Sequence, residues 1–373
     1  MSKPMRVGTE PLDREALNDL LEPLRATVTT YLPARSNLPD PGTPLQLHWS
    51  NLRRSLAADG ASEDDLAAID VTATEAEHGG DTNVAIAAAG ELQAAGFITE
   101  PIAEPFGTSE LIPSILPLLD WEQSRIPHLV VVVDRIGADM IAISPEYEDS
   151  GATVTGDDEY IHRGAAGGWS QRRFQQRAEN LWERNAKDVA EEVDRLAALI
   201  NARTIIVAGD ERAVGFLCQH LSSRTVDLVR NIDGARVEWS IDQIAADTVT
   251  QVATVAAEDL RQHLQDFAEA LGTGNAVDGP DAVFQALRRA TVGKLYVVDD
   301  TYGDRARGWT SSDPAHIYPD TSPPDVGVAL HQAPLNDIAV RSAVLTGADI
   351  VVVPAAGPNA PTGGLGALLR NNT

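Results

Sequence analysis

Six residues, His128-Leu129-Val130-Val131-Val132-Val133, constrain this chain more than any other segment. After His128 the run is wholly aliphatic and reads as the clearest strand in the sequence. Arg135 to Ser144 predicts a second strand after a turn at Gly137, and Gly151 to Ile161 a third, of alternating type. A long helix follows, from about Arg172 to Ile200. Its buried stripe is marked at helical spacing by Phe174, Ala178, Leu181, Val189, Val193, Leu196 and Ile200. Thr204 to Ala208 is a buried strand leading into a helix over 212–221, and Val226 to Val229 is another strand. Mixed strands with helices between them make this region an α/β domain.

A chain of 373 residues predicts two or three domains. The region before His128 opens with a helix from Glu15 to Leu24, then an alternating strand, Thr27 to Leu32, stopped by Pro33 and a proline-rich loop through Pro44. Helices are predicted over Leu47–Leu56 and Asp64–Ile69. Strands are predicted at Asn83–Ala89 and Gly96–Thr99, and Leu111–Leu119 reads as a connector. The last region opens with a helix from Ile241 to Leu271. Helices at Ala282–Arg289 and Asp337–Leu345 follow, with strands at Lys294–Val298 and Ile350–Val353. The expected architecture is α/β with three domains, 1–126, 127–240 and 241–373. The middle and C-terminal domains are each a mixed sheet flanked by helices.

No stretch reaches the roughly 18 uninterrupted apolar residues that a membrane span needs, and the N-terminus has no apolar core of a signal peptide. Cys218 is the only cysteine, which excludes an internal disulfide and a cysteine-based zinc cluster; it is expected in the core. The eight histidines form no His-x-x-x-His or His-x-His pair, so neither metal nor cofactor is expected. Asp299-Asp300 reads as a strand-end turn. No phosphate-binding loop of the G-x-x-x-x-G-K-[ST] kind is present, which leaves nucleotide hydrolysis unsupported. The features agree on a cytoplasmic protein without membrane contact.

A formal charge of −26 argues against indiscriminate nucleic-acid binding, because phosphate repels such a surface. One segment runs the other way. From Ile161 to Ala178 the chain reads IHRGAAGGWSQRRFQQRA, with Arg163, Arg172, Arg173 and Arg177 and no acid, in a protein with 55 Asp plus Glu. Arg173, Arg177 and Arg184 fall on one side of the long helix. Such a local ridge would neutralise a few phosphates while the remaining surface discourages others. Gly164, Gly167 and Gly168 give a low-bulk backbone able to enter a narrow site, with Trp169 placed to stack on an unpaired base. The same residues also allow a plainer reading, a Gly-Ala hinge with Trp169 folded back as a hydrophobic staple and Ser170 as N-cap.

The run GGWSQRRFQQRAE ahead of a long helix resembles the middle domain of eukaryotic and archaeal class-I release factors and Pelota, where Gly-Gly-Gln-Ser precedes an Arg-Phe-x-x-x-Arg-x-Glu helix. Arg173-Phe174, Arg177 and Glu179 take the helix positions. The ending Gly363-Gly364-Leu365-Gly366-Ala367-Leu368-Leu369-Arg370 is similar to that of the family's C-terminal domain. The first region matches more loosely the bacterial branch that includes Balon-like hibernation factors.

The resemblance implies a ribosome partner, with contact to ribosomal RNA and potentially to peptidyl-tRNA, and delivery by elongation factor Tu or another translational GTPase. Two departures shape the rest. The catalytic glutamine of the family's loop is replaced by Trp169, whose indole has one donor and no acceptor. The stop-codon-reading Asn-Ile-Lys-Ser loop is missing, since Lys3 is the only lysine of the first region. The resemblance thus implies an A-site occupant in hibernation or stress, its loop Gly167, Gly168, Trp169 and Ser170 facing the ribosome. The alternative is a peptidyl-tRNA hydrolase or rescue enzyme using Gln171, which also reads as a solvated residue of the first helical turn.

Overall fold

A computed structural model describes residues 4–8, 11–34, 42–74, 80–134, 137–155, 170–232, 241–303, 305–319, 322, 325–355 and 359–370, with backbone alone at 42–44, 74, 147–150, 155, 170–183 and 241–242. The first region contains β1 (Met5–Val7), α1 (Arg14–Leu21), β2 (Thr27–Pro33), α2 (Gly42–Ala58), α3 (Glu63–Thr74), β3 (Thr82–Ala88), β4 (Glu91–Ile98), β5 (Phe106–Glu110) and α4 (Leu116–Ser124). The middle contains β6 (His128–Val133), β7 (Gly137–Ser144), β8 (Tyr147–Thr155), α5 (Ser170–Leu199), β9 (Thr204–Gly209), α6 (Glu211–His220), α7 (Ser223–Val226) and β10 (Val229–Asn231). The last region contains α8 (Ile241–Thr273), β11 (Ala276–Asp278), α9 (Pro280–Arg288), β12 (Val292–Val298), β13 (Arg307–Thr310), β14 (Ile317–Tyr318), β15 (His331–Pro334), α10 (Leu335–Leu345), β16 (Asp349–Val353) and, after a short 3-10 turn, β17 (Leu365–Leu369).

The fold is mixed α/β, and each of the three regions carries its own sheet. The first sheet runs β1-β4-β3-β2-β5, the second β10-β9-β6-β7-β8, the third β11-β17-β12-β16, with a small antiparallel sheet β14-β13-β15 beside the third. Several expectations shift locally. α1 stops at Leu21 rather than Leu24, because Pro23 has no N–H with which to continue the helical ladder beyond Glu22. The expected connector over 111–119 is where α4 begins. The strand expected at 96–99 is the end of a longer one, β4. The strand expected at 226–229 resolves into the end of α7 and the start of β10, and the strand expected at 151–161 appears as β8, Tyr147–Thr155, with 156–161 outside the described residues. Cys218 is half-buried on α6, behind the fully buried Leu217.

The chain forms two compact units, one of residues 1–123 with 260–373, the other of residues 124–259. In the first unit, the regions read as first and third domains share a core. Leu17, Leu20, Tyr31, Val84, Ile86 and Trp121 lie in one buried cluster with Phe284, Leu287, Leu295, Ile338 and Val344. Period-2 alternation divides the first sheet between two such layers. Val84, Ile86 and Tyr31 face that cluster, while Val28, Leu32, Ala85 and Ala87 face α2 and α3 through Leu45, Trp49, Leu66 and Ile69. This double coverage explains why β2 and β3 are buried almost throughout.

Arg341 on α10 stitches the unit together. It is 1% exposed. Its Nε donates to the Leu21 carbonyl at 2.7 Å and Nη2 to the Glu22 carbonyl at 2.8 Å. The same side chain reaches the Ser311 carbonyl through Nη1 at 3.2 Å and the Ser312 carbonyl through Nη2 at 3.0 Å. The first pair are carbonyls at the C-terminal end of α1, which a helix leaves without intrahelical partners. Replacing Arg341 by Met strands these acceptors in the core. It is expected to cost about 3–5 kcal/mol, a fall of roughly 6–20 °C in the first unit's melting temperature. Calorimetry checks this, and a shift of less than about 2 °C would show that the carbonyls find other donors.

Candidate functional site

The second unit builds the sheet edge that precedes the arginine-rich segment in sequence. β6 and β9 are parallel neighbours in register from His128↔Thr204 to Val133↔Gly209. β8 runs in the same direction as β6, and its last residue, Thr155, pairs with Gly137. Thr155 therefore lies at the edge where β6 and β9 end. Gly209 is required there, because a Cβ on it would lie 2.1 Å from the Val133 carbonyl oxygen. Two carboxylates close the turns at this edge. Asp134 accepts the Gly137 N–H at 2.9 Å, and Asp210 caps α6 through the Arg212 N–H at 3.1 Å.

α5 is one continuous helix of 30 residues, roughly 45 Å long. Val189, Val193, Leu196 and Ile200 are buried as the helical spacing predicts, against Leu129, Val131, Met140, Ile205 and Val207. On the opposite side of the unit, Arg203 and Arg230 pair with Asp259 and Glu258 of α8 at 2.5 and 2.6 Å. Where α5 reaches the ends of β6 and β9, Asn185, Ala186 and Val189 meet Val133, Asp134 and Gly137 around a cavity of about 10 Å³. That volume holds at most one water. A second, more open cavity of about 240 Å³ lies at the same edge, lined by Asp134, Gly137, Asp139, Thr153 and Val154; it is smaller than the roughly 300–1,000 Å³ of pockets for whole small molecules.

Arg163, Gly167, Gly168 and Trp169 lie outside the described residues. Ser170, Gln171, Arg172, Arg173 and Arg177 occupy the first turns of α5, where the backbone alone is described. The helix places positions 173, 177 and 184 within about 40° of one another around its axis, and Arg184 is exposed. The first turn of α5 contains no acid. Arginines 172 and 173 there oppose the positive end of the helix dipole, at a cost of about 0.3–1 kcal/mol each. A sequence selected for helix stability alone would place acids in that turn.

The segment 127–273, which spans this whole unit from β6 into α8, matches the model of bacterial archaeo-eukaryotic release factor family 2. Over that segment the chain is similar to the bacterial archaeo-eukaryotic release factors. The release-factor-like chain is also 24% identical over 335 residues to the uncharacterized protein Rv2629 of Mycobacterium tuberculosis, covering 86% of this chain and 87% of that protein. Among solved structures it is similar to the archaeal translation termination factor aRF1, at 16% identity, coverage of 98% and 99%, and a TM-score of 0.24. It is likewise similar to a chain of ribosome-bound archaeal Pelota and ABCE1, at 14% identity, coverage of 98% and 95%, and a TM-score of 0.39. Superpositions at those scores contribute no argument, so the assignment rests on the family model.

The strongly perturbed carboxyls of this release-factor-like protein lie in the other unit, where no sequence motif announced them. Asp337 of α10 is 2% exposed and accepts from Arg305 Nη2 at 2.7 Å. Burial pushes its carboxyl up to about 7 against the pull of Arg305. Asp120 of α4 is pushed up to about 6 by burial, with Glu100 and Asp299 adding repulsion. Asp299 itself caps a strand-end turn, accepting the Thr301 N–H at 2.9 Å. These acids come from four distant stretches, so no spacing in the sequence could have grouped them. Among the described residues no group of three or more His, Cys, Asp and Glu is placed to hold a metal ion, and no helix is long and apolar enough to cross a membrane.

A carboxyl whose folded pKa is raised contributes stability below its unfolded pKa and loses it as pH rises through the folded value. For Asp120 the window runs from 3.8 to about 6. Discounted for partial exposure, the loss is about 1–2 kcal/mol. Asp120→Asn is therefore expected to match the wild type near pH 4 and to exceed it by that amount above pH 7. Thermal melts across this range check the sign, and a variant less stable at pH 8 would refute it.

Proposed function

We propose that this chain is a ribosome-binding translation factor that occupies the A site and directs the loop Gly167-Gly168-Trp169-Ser170 towards the peptidyl-transferase centre, in hibernation or stress. The supporting observation is the acid-free first turn of α5 with its arginines at the dipole's positive end, inside the segment that matches the release factor family model. An external polyanion turns that intrinsic cost into a gain, because each phosphate neutralised releases counterions. In this reading residues 1–126 face the decoding region and 127–240 carry the loop. Residues 241–373 receive a partner such as elongation factor Tu or another translational GTPase, and the protein acts in the cytoplasm.

Trp169 decides between occupancy and catalysis. A release reaction needs a group that positions water and stabilises an oxyanion. The indole offers one N–H and no acceptor, whereas its large π-face suits stacking on an unpaired base. Occupancy is the better fit. Converting Arg172, Arg173 and Arg177 together to Glu is expected to abolish co-sedimentation with ribosomes at low salt. Partial replacement by Ala is expected to flatten the dependence of log affinity on log salt by about 0.7–0.9 per lost phosphate contact. Equal sedimentation of the Glu variant would sink the basic ridge.

The second reading keeps chemistry in Gln171, which α5 holds in its first turn. Ribosomes carrying labelled peptidyl-tRNA separate the two. Occupancy predicts no peptide release by wild type or Gln171→Ala, while hydrolysis predicts release that the substitution removes.

A further inference from the structure

Three aromatic rings line one cavity of the first unit. Tyr31 and Phe106 have ring centroids 6.0 Å apart, and Phe106 meets Tyr302 edge-on at 6.0 Å and 68°. Tyr31 is fully buried, its hydroxyl donated to the Ser114 carbonyl, and Tyr302 is tethered by its hydroxyl to the Glu104 carbonyl at 3.2 Å. The rings wall a cavity of about 150 Å³, shared with Ile98, Pro117, Glu100, Asp120 and Asp299. That is well below the roughly 300–1,000 Å³ of pockets for whole small molecules, and suits a single head group.

The polar lining is one-sided. Glu100, Asp120 and Asp299 contribute three carboxyls to this space and the lining contains no Lys, Arg or His. None of the three has a cation within ion-pair distance among the described residues. Burial raises the pKa of both Asp120 and Glu100, and repulsion adds to it, from Glu100 and Asp299 on Asp120 and from Asp299 on Glu100. A metal ion is the wrong guest, since the acids do not converge as ligands. Aromatic faces next to unpaired carboxylates instead suit a large, weakly hydrated organic cation, which rings attract through their quadrupole and carboxylates through charge.

We propose that this aromatic-walled cavity binds one alkylammonium or guanidinium group, supplied by an arginine or lysine side chain of a partner or by a free polyamine. The proposal is independent of the ribosomal reading, because the cavity lies outside the segment that matches the release factor family.

Titration calorimetry on the full chain tests it with N-acetyl-arginine amide, spermidine and magnesium chloride. Saturable binding of at least one organic probe is expected, weakened roughly 10- to 100-fold by Asp120→Asn. Phe106→Leu keeps every charge and is expected to weaken binding about 2- to 30-fold. Asp59→Asn, an exposed acid elsewhere on the unit, is expected to change nothing. Tighter binding of the arginine derivative points to a protein-borne cation, and tighter binding of spermidine to a polyamine. The proposal fails if neither organic probe saturates, if Asp120→Asn or Phe106→Leu binds like wild type, or if magnesium competes as well as the organic probes do.

Discussion

The guanidinium of Arg341 sets the organisation of the larger unit. A buried cation with several donors has no cheap alternative to carbonyl acceptors. Here those acceptors come from the end of α1 and from Ser311 and Ser312, some 320 and 30 positions away in sequence respectively. Burial lowers its pKa, with Glu22 and Asp313 opposing, but arginine starts high enough to remain charged. The contact therefore holds only when α1, α10 and the turn after β13 are all in place. Regions at opposite ends of the chain consequently share one hydrophobic cluster, with Leu20 and Trp121 in the same core as Phe284 and Val344.

The middle unit rests on a different constraint. β6, β9 and β10 are parallel, so each return must cross a face of the sheet, and α5 and α6 make the returns. Gly209 lets β9 approach β6 closely at the strand ends. One cavity there admits no more than a water, and a second, of about 240 Å³ beside Asp134 and Thr153, falls below the usual size of a small-molecule pocket.

Much of this was legible from residue pattern. The aliphatic run 128–133, the α5 stripe at Val189, Val193, Leu196 and Ile200, and the paired hydrophobic strand 204–209 appear where periodicity puts them. The small sheet of β13, β14 and β15 was not, because its strands are two to four residues long and contain Pro334 and Gly308. The shared core of the first and last regions was equally hidden, since apolar periodicity reports that a face is covered but not by what. Arg341 gave no sign of burial, because its acceptors are backbone carbonyls that every residue type supplies. The acids at 100, 120, 299 and 337 are grouped only by tertiary packing.

Charge distribution links the two units' behaviour. With a net charge of −26, the chain repels a polyanion over most of its surface. The acid-free run from 161 to 178 reverses that sign locally, at a helix end where arginines are intrinsically unfavourable. The raised carboxyls of Asp120 and Asp337 are a second place where the isolated chain sacrifices stability. Strain of opposite sign thus sits in separate units, positive at the end of α5 and negative beside the aromatic cavity. Each would be relieved by a partner of the other sign, and neither partner can substitute for the other. A phosphate backbone is excluded from the acidic cavity by the same repulsion that raises Asp120. An organic cation gains nothing from the arginines of α5. On the two proposals made above, the protein would discriminate by sign as well as by shape, with one site on each unit.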